Sequence, residues 1–398
     1  VVIAGSIGTA GADNGAPKPG QDNKPDIIIT GGSDTTYALE SDLALAYNQS
    51  PGCKTENGST NPNVGFCINP GGTPNVPGVQ NAPAANAGTN WDHDVIVNLY
   101  PTGSTAGVNG LLGLNGYSGV IDMARSSRGP NASGESALNF WGFAKDGVPV
   151  ITLGTQPTID LTPLKVAQIW NCDINTWDQI TGNPADAGRP IRRYGMNPSS
   201  GTYATFRSFL QAQIAGADPN KPGCGEKLQD GTYPFENDVK PIIKDVAARG
   251  WNLNDVIWWA SYAEMKTYPY KAQGASFAKL NGVTISNTTV ANGTYPFNRI
   301  VYRVTRKADA NAVGSSSDLT GATGGKGGAV RRATEWLCKE QAWYNAGTIP
   351  SNPTNAQVDD FTGQTYFTII TNILSQNGYQ RIPVAERTNG ACKLVPGP

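Results

Sequence analysis

An α/β fold of two lobes is what this sequence predicts, and three observations predict it. Short apolar runs ending in glycine or small hydroxylated residues are followed repeatedly by segments whose apolar residues recur at helical spacing. Two strand-like stretches, near 147–151 and 297–302, are placed to cross between halves of the chain, which gives a hinge of two segments. At 398 residues there is enough chain for two cores, each lobe a mixed sheet flanked by helices. The expected division is 26–148 with 300–398 as lobe 1 and 149–299 as lobe 2. A flexible segment 1–25, rich in Gly, Pro, Asn and Asp, precedes them.

The first element sets the grammar. Ile27, Ile28 and Ile29 read as a buried strand, and Gly31 and Gly32 permit a tight turn. Ser33, Asp34, Thr35 and Thr36 are helix-cap or first-turn residues, and Leu39, Leu43, Ala46 and Tyr47 share a helix face. Free N–H groups at such a helix start, aided by the helix dipole, hold an anion without any net positive charge. Residues 49–92, rich in Asn, Gly and Pro, read as a surface insertion. HDVIVNLY at 93–100 is a strand, after which Ser104 and Thr105 open a short helix carrying Val108, Leu111 and Leu112. A further short strand leads to Arg125, Ser126, Ser127 and Arg128. Two arginines flanking two serines are either charge-assisted donors for an oxyanion or a solvated loop with surface pairs of little worth.

Residues 140–154 read as a strand passing between lobes, and Thr162-Pro163 opens a helix. Arg192 and Arg193 then precede Ser199-Ser200-Gly201-Thr202, where the hydroxyl-then-helix pattern returns with Tyr203, Phe206, Leu210 and Ile214 on one face. Helical spacing dominates the middle of 236–266, and Trp258 and Trp259 there read as core. GTYPFNRIVYRVTR at 293–306 is strand-like and crosses back. A Gly/Ser-rich loop, 308–328, precedes a helix with Val330, Ala333, Trp336 and Leu337, and the last helix stops at Asn377-Gly378. Hydroxyls at one helix start merely cap it. Two or three such starts far apart in sequence imply lobes closing on one small anion.

The totals narrow the function. A net charge of −1 with 15% charged residues leaves no basic footprint for nucleic acid, and no apolar run reaches membrane-spanning length. Six cysteines, Cys53, Cys67, Cys172, Cys224, Cys338 and Cys392, form no CxxC pair, and His93 is the single histidine, so no Cys/His zinc site is expected. Scattered, even-numbered cysteines fit an oxidising compartment. Among the many possible connectivities, pairing neighbours in sequence gives Cys53–Cys67, Cys172–Cys224 and Cys338–Cys392. The opening VVIAGSIGTAGADNG lacks the basic start of a complete signal peptide and offers no lipid-anchor cysteine, so a secreted, processed chain is expected. Catalytic readings find little: His93 has no marked nucleophile, GYSG is not GxSxG, SFAK has no following KTG, and GATGGKGG lacks Walker spacing. No enzyme activity and no cofactor are expected.

Taken together, GGSDTTY at 31–37, STAGV at 104–108, IDMARSSRGP at 121–130, VAQIWNCDINTWDQITG at 166–182, SSGTYATFRSFL at 199–210, GTYPFNRIVY at 293–302 and the closing NGYQRIPV carry a resemblance. Their order and spacing resemble the phosphate-binding proteins of ABC phosphate importers, of the type II periplasmic-binding-protein fold, and most of all the actinobacterial branch with its GSDTT loop. The resemblance implies a monomer, outside the cytoplasm or at the cell surface, that captures inorganic phosphate or a similar tetrahedral oxyanion and presents it to an ABC permease. It implies contacts from Thr35 and Thr36 by hydroxyl and backbone N–H, from Ser104 or Thr105, and from Ser200, Gly201 and Thr202. Arg192 or Arg193, of which Arg193 is preferred, stands for the family's arginine upstream of the SGT motif. Where better-known members carry an acidic residue that accepts the proton of hydrogen phosphate, this chain has Ser127, with Arg125 and Arg128 beside it. Asp34 is the expected substitute acceptor. The rival expectation is a secreted surface or partner-binding module that keeps the fold without transport, motivated by the 49–92 insertion and the missing lipid anchor.

Overall fold

The computed structural model describes residues 27–49, 95–116, 118–131, 133–310 and 366–398, together with positions 330, 333, 334 and 336–338. The expected segment 1–25, all but the first residue of the 49–92 insertion, His93 and the Cys53–Cys67 pair lie outside the described residues.

The chain builds one sheet, leaves it, builds a second and returns. Lobe 1 starts with β1 (Ile27–Gly32), α1 (Tyr37–Gln49), β2 (Val95–Asn98), α2 (Ser104–Leu111), β3 (Met123–Ser126) and β4 (Leu138–Gly147). Immediately after β4, β5 (Val150–Thr152) belongs to the second sheet. Lobe 2 continues with β6 (Asp160–Leu161), α3 (Pro163–Trp170), α4 (Asp178–Thr181), β7 (Arg192–Arg193), α5 (Gly201–Gln211), α6 (Lys240–Ala248) and β8 (Val256–Trp259). It closes with α7 (Tyr262–Thr267), α8 (Pro269–Ala272), β9 (Ser276–Phe277), β10 (Lys279–Leu280) and α9 (Asn287–Ala291). The return is β11 (Asn298–Arg306), followed by α10 (Lys307–Ala310), α11 (Tyr366–Gln376), β12 (Gln380–Arg381) and β13 (Lys393–Pro396).

In the first sheet the order is β12-β4-β11-β3-β1-β2, with β13 also pairing β4. β1 runs parallel to β2 and β3, while β11 is antiparallel to β3 and β4. The second sheet, β7-β8-β5-β9, is likewise mixed, with β7 parallel to β8 and β5 antiparallel to β8 and β9. Both lobes are therefore mixed sheets with helices, the α/β arrangement the sequence predicts. The two crossings lie side by side: β4 and β11 pair from Leu138↔Arg306 to Gly147↔Asn298, and the Val148 N–H donates to the Phe297 carbonyl at 2.8 Å.

Each lobe has its own core. In lobe 2 the Phe206 ring stacks on Trp259 at 4.3 Å, and Trp170 meets both edge-on at 4.8 and 5.4 Å. Fully burying an aromatic ring of this size stabilises by roughly 1.5–3 kcal/mol each. In lobe 1 Ile28, Leu39, Leu43 and Tyr47 pack with Val330, Ala333, Trp336 and Leu337 and with Ile370 and Leu374 of α11. Trp258 and Trp259 are core, but they lie on β8 and not in a helix. The run Val256–Trp259 is buried at every position, and a continuous apolar run has no period by which helix and strand can be told apart. Disulfides join Cys172 to Cys224 in lobe 2 and Cys338 to Cys392 in lobe 1.

Candidate functional site

Three loops of lobe 1 meet the start of α5 across the cleft. Gly32 makes the first turn possible: its φ is +125°, and any Cβ there would strike the Arg125 carbonyl, to which the Ser33 N–H donates at 3.0 Å. That turn brings Ser33 and Thr35, both fully buried, to the cleft. The loop before α2 delivers Ser104, and the loop after β3 delivers Ser127. The Ser127 N–H donates to Ser104 Oγ at 3.0 Å, the Ser33 hydroxyl donates to Ser127 Oγ at 3.1 Å, and Ser104 Oγ lies 3.2 Å from Ser127 Oγ.

Lobe 2 answers with a capped helix. Ser200 has extended backbone, and its Oγ accepts the N–H groups of Thr202 and Tyr203 at 3.0 and 3.1 Å. Thr202 Oγ1 lies 3.0 Å from Thr35 Oγ1, and the Thr105 N–H donates to the Ser199 carbonyl at 3.4 Å, so the lobes touch here. Gly201 is required by that approach, because a Cβ would run into the Ser104 and Ser127 hydroxyls, with Ser104 Cβ only 3.0 Å away.

A carboxylate already sits on these donors. Glu236, 2% exposed, accepts the Thr35 N–H at 3.3 Å on Oε1. Its Oε2 accepts the Thr202 N–H at 3.3 Å and the Ser200 hydroxyl. The next residue, Asn237, is fully buried with φ +65°, a left-handed conformation unusual for a side-chain-bearing residue. It is held there by accepting the Ser261 N–H at 2.9 Å and donating to Thr35 Oγ1 at 3.2 Å.

Among the described residues, the guanidinium in this cluster comes from the hinge strand β11. Arg299 donates to Thr202 Oγ1 at 2.9 Å, to the Ser127 carbonyl at 3.3 Å and to Thr35 Oγ1 at 3.5 Å. Its other donors bind Asp146 Oδ2 of β4 at 3.0 and 2.8 Å, while Asp146 Oδ1 accepts the Ala263 N–H at 3.1 Å. Thr35 Oγ1, accepting from Asn237 and Arg299, turns its own proton toward Thr202. Thr202 Oγ1, accepting in turn from Thr35 and Arg299, keeps its proton for a further acceptor.

Two carboxyls beside the cleft hold their protons more tightly than usual. Burial pushes the Asp34 carboxyl up to about 6, with the nearby Glu236 charge adding to the rise and Lys271, the Asn237 amide and Arg125 opposing it. Burial likewise raises Glu264 to about 7 against the pull of Lys271, with which it pairs at 2.6 Å.

Of the residues expected from sequence, Thr35, Ser104, Ser127, Ser200, Gly201 and Thr202 converge, with Asp34 beside them. Thr105 joins only through its backbone. The Thr36 hydroxyl is buried without a hydrogen-bond partner among the described residues. Arg125 and Arg193 do not reach the cluster. The Arg125 guanidinium lies behind the first loop, donating to the Ser33, Thr30 and Leu99 carbonyls and to Asn98, with its face over the Tyr37 ring at 5.2 Å. Those acceptors satisfy the charge that a free anion was expected to meet. Arg193 points at the Cys172–Cys224 disulfide, donating to both sulfurs, Asn175 Oδ1 and the Ile191 carbonyl, and Arg192 lies over the Trp251 ring at 4.0 Å. Sequence reasoning missed Arg299, Asp146, Glu236 and Asn237. Arg299 lies inside FNRIVY, a stretch whose strand-like pattern marks it as crossing between lobes; nothing local distinguishes Glu236.

No family model matches the chain, and no curated protein does. Among solved structures it is similar to a putative phosphate ABC transporter substrate-binding protein with bound phosphate from Clostridium perfringens, at 16% identity over 90% of this chain and 100% of that one, with a TM-score of 0.49. It is similar to PstS from Borrelia burgdorferi at 18% identity, covering 90% and 99%, with a TM-score of 0.43. An ABC-type phosphate transport receptor from Vibrio cholerae matches at 18% identity over 70% and 87%, again with a TM-score of 0.43.

Proposed function

We propose that this chain is a solute-binding protein that closes its two lobes on inorganic phosphate, or a similar tetrahedral oxyanion, and presents it to an ABC permease outside the cytoplasm. The observation that carries the reading is the convergence of the Thr35 and Thr202 N–H groups with the Ser200 hydroxyl on one oxyanion, the Glu236 carboxylate. Donors that hold a carboxylate from both sides of a cleft suit any small oxyanion that needs its water replaced. The α5 dipole adds to them, and Arg299 supplies charge.

Binding here is without chemistry. The hydroxyls of Ser33, Ser104 and Ser127 can rotate, so the set adapts to the added oxygens of a tetrahedral ion. Asp34, held at the rim of the site with its proton affinity raised, is the acceptor we assign to the proton of hydrogen phosphate. Sulfate has no such proton, and it is the ion that this arrangement disfavours. The two disulfides fit an oxidising compartment, and no helix among the described residues is long and apolar enough to cross a membrane.

Titration calorimetry on ligand-stripped protein with phosphate, arsenate and sulfate tests the reading. One-to-one binding of phosphate and arsenate, with sulfate weaker, is expected. Absence of heat with all of these ions overturns it. That outcome favours a surface module, whose lobes Glu236 would hold shut for good.

A further inference from the structure

Glu236 is where the molecule departs from a simple anion trap. The segment that carries it belongs to lobe 2, between α5 and α6, yet one of its carboxylate oxygens takes an amide of lobe 1 and the other takes an amide and a hydroxyl of lobe 2. The group is buried at 2% exposure, and no cation is paired with it: among the described residues the ion pairs of the cleft are Arg299–Asp146 and Lys271–Glu264. A buried carboxylate without a cation is tolerated only when N–H and O–H donors satisfy it, and these are the donors of the proposed oxyanion site. The left-handed backbone of Asn237, tied down on both sides, aims it there.

We infer that Glu236 is a tethered anion that latches the two lobes together and with which a free oxyanion must compete. The inference rests on the oxyanion reading for the second half of that statement and not for the first. When the cleft opens, the Thr35 amide and the Thr202–Ser200 pair part, and the carboxylate can keep only the partners of its own lobe. An arriving oxyanion takes the same amides, displacing the carboxylate toward solvent. A group tethered on the same chain competes at a high effective concentration, so it lowers the apparent affinity without blocking the site. The latch therefore sets an affinity threshold: it keeps the ligand-free lobes together and passes only ions that bind these donors better than a carboxylate does.

The test compares wild type, Glu236→Gln and Glu236→Asp. Small-angle scattering of ligand-free protein reads lobe opening, and calorimetry with inorganic phosphate reads competition. The glutamine has the same size but puts an amide NH2, itself a donor, in place of one acceptor oxygen and removes the charge, so the variant is expected to be more open and to bind phosphate about tenfold more tightly. The aspartate keeps the charge but is too short to reach both lobes, and it is expected to open the protein as well. Circular dichroism and a thermal melt confirm that each variant is folded; should the glutamine fail to fold, the aspartate alone carries the opening test. If both variants are as compact as wild type, the latch is overturned, even if removing the charge tightens binding. If the variants open but neither they nor wild type binds any oxyanion, the latch stands and the oxyanion reading falls.

Discussion

Ser104 and Ser200 each stand at the start of a helix facing the same cleft, and the two starts are built differently. In lobe 1, α2 follows Gly103, which has no side chain to cap it, and the Ser104 hydroxyl is spent on the Ser127 N–H. In lobe 2, Ser200 caps α5 with its own Oγ and also donates to Glu236. Lobe 1 therefore offers rotatable hydroxyls at the ends of strands, while lobe 2 offers a fixed helix start together with the acid that occupies it. A cleft between unlike halves needs something to bind them in register, and that role falls to the hinge strands. Arg299 of β11 touches Thr35 from one lobe and Thr202 from the other, and Asp146 of β4 holds it in place.

The largest effect should come from removing that link. Arg299→Ala leaves Asp146, wholly buried, without its cation, and unfolding by urea should show a loss of about 3–5 kcal/mol. A loss under about 1 kcal/mol would mean that the lobes are coupled elsewhere.

Next comes the glycine at which the lobes meet. By helix preference alone Gly201→Ala should stabilise α5 by up to about 1 kcal/mol. The Cβ it adds collides with Ser104 and Ser127 only when the cleft is shut. Phosphate affinity is therefore expected to fall about 100-fold, on the order of 3 kcal/mol, and the ligand-free variant, unable to hold its lobes shut, is expected to be more open in small-angle scattering.

Asp34 sharpens the contrast through pH. Its folded-state value lies near 6, above the ordinary 3.8, so folding favours the protonated form. The stability it contributes is thus full below about pH 4 and is lost as pH rises through about 6. Asp34→Asn should remove that dependence, so the variant gains on wild type by roughly 2–3 kcal/mol between pH 4 and pH 7.5 in denaturant titrations. Glu264, raised to about 7 chiefly by burial, slopes the same way, and because the Asp34 charge adds to its rise, its slope is shallower in the variant, which widens the difference in the same direction. The same variant should lose discrimination between phosphate and sulfate; unchanged discrimination removes Asp34 from the acceptor role.

The smallest effects separate the two helix starts. Ser200→Ala deletes a cap and a donor to Glu236, with an expected cost of about 1–2 kcal/mol in stability. Ser104→Ala deletes one acceptor of a buried N–H and should cost about 1 kcal/mol. Equal costs would erase the distinction drawn between the lobes.

Much of this was written locally in the chain. Ile27–Gly32 and Ser200–Thr202 could be read as strand end and helix start, because β-branched runs, glycine turns and hydroxyl caps act over a few residues. The mixed-sheet lobes followed from the alternation of such segments, and the cores from their apolar faces. Serines and threonines that lead a helix are held by that helix, so their backbone position follows from sequence. The direction of a long, charged side chain does not. Arg125 and Arg193 sit beside the expected motifs, yet one faces the carbonyls behind its loop and the other faces a disulfide. Only tertiary structure decided that Arg299, from a hinge strand, lies among the hydroxyls, and that Glu236, 201 positions after Thr35, takes their amides. A charge goes where burial leaves it the best partners, and those partners come from parts of the chain that local rules never bring together.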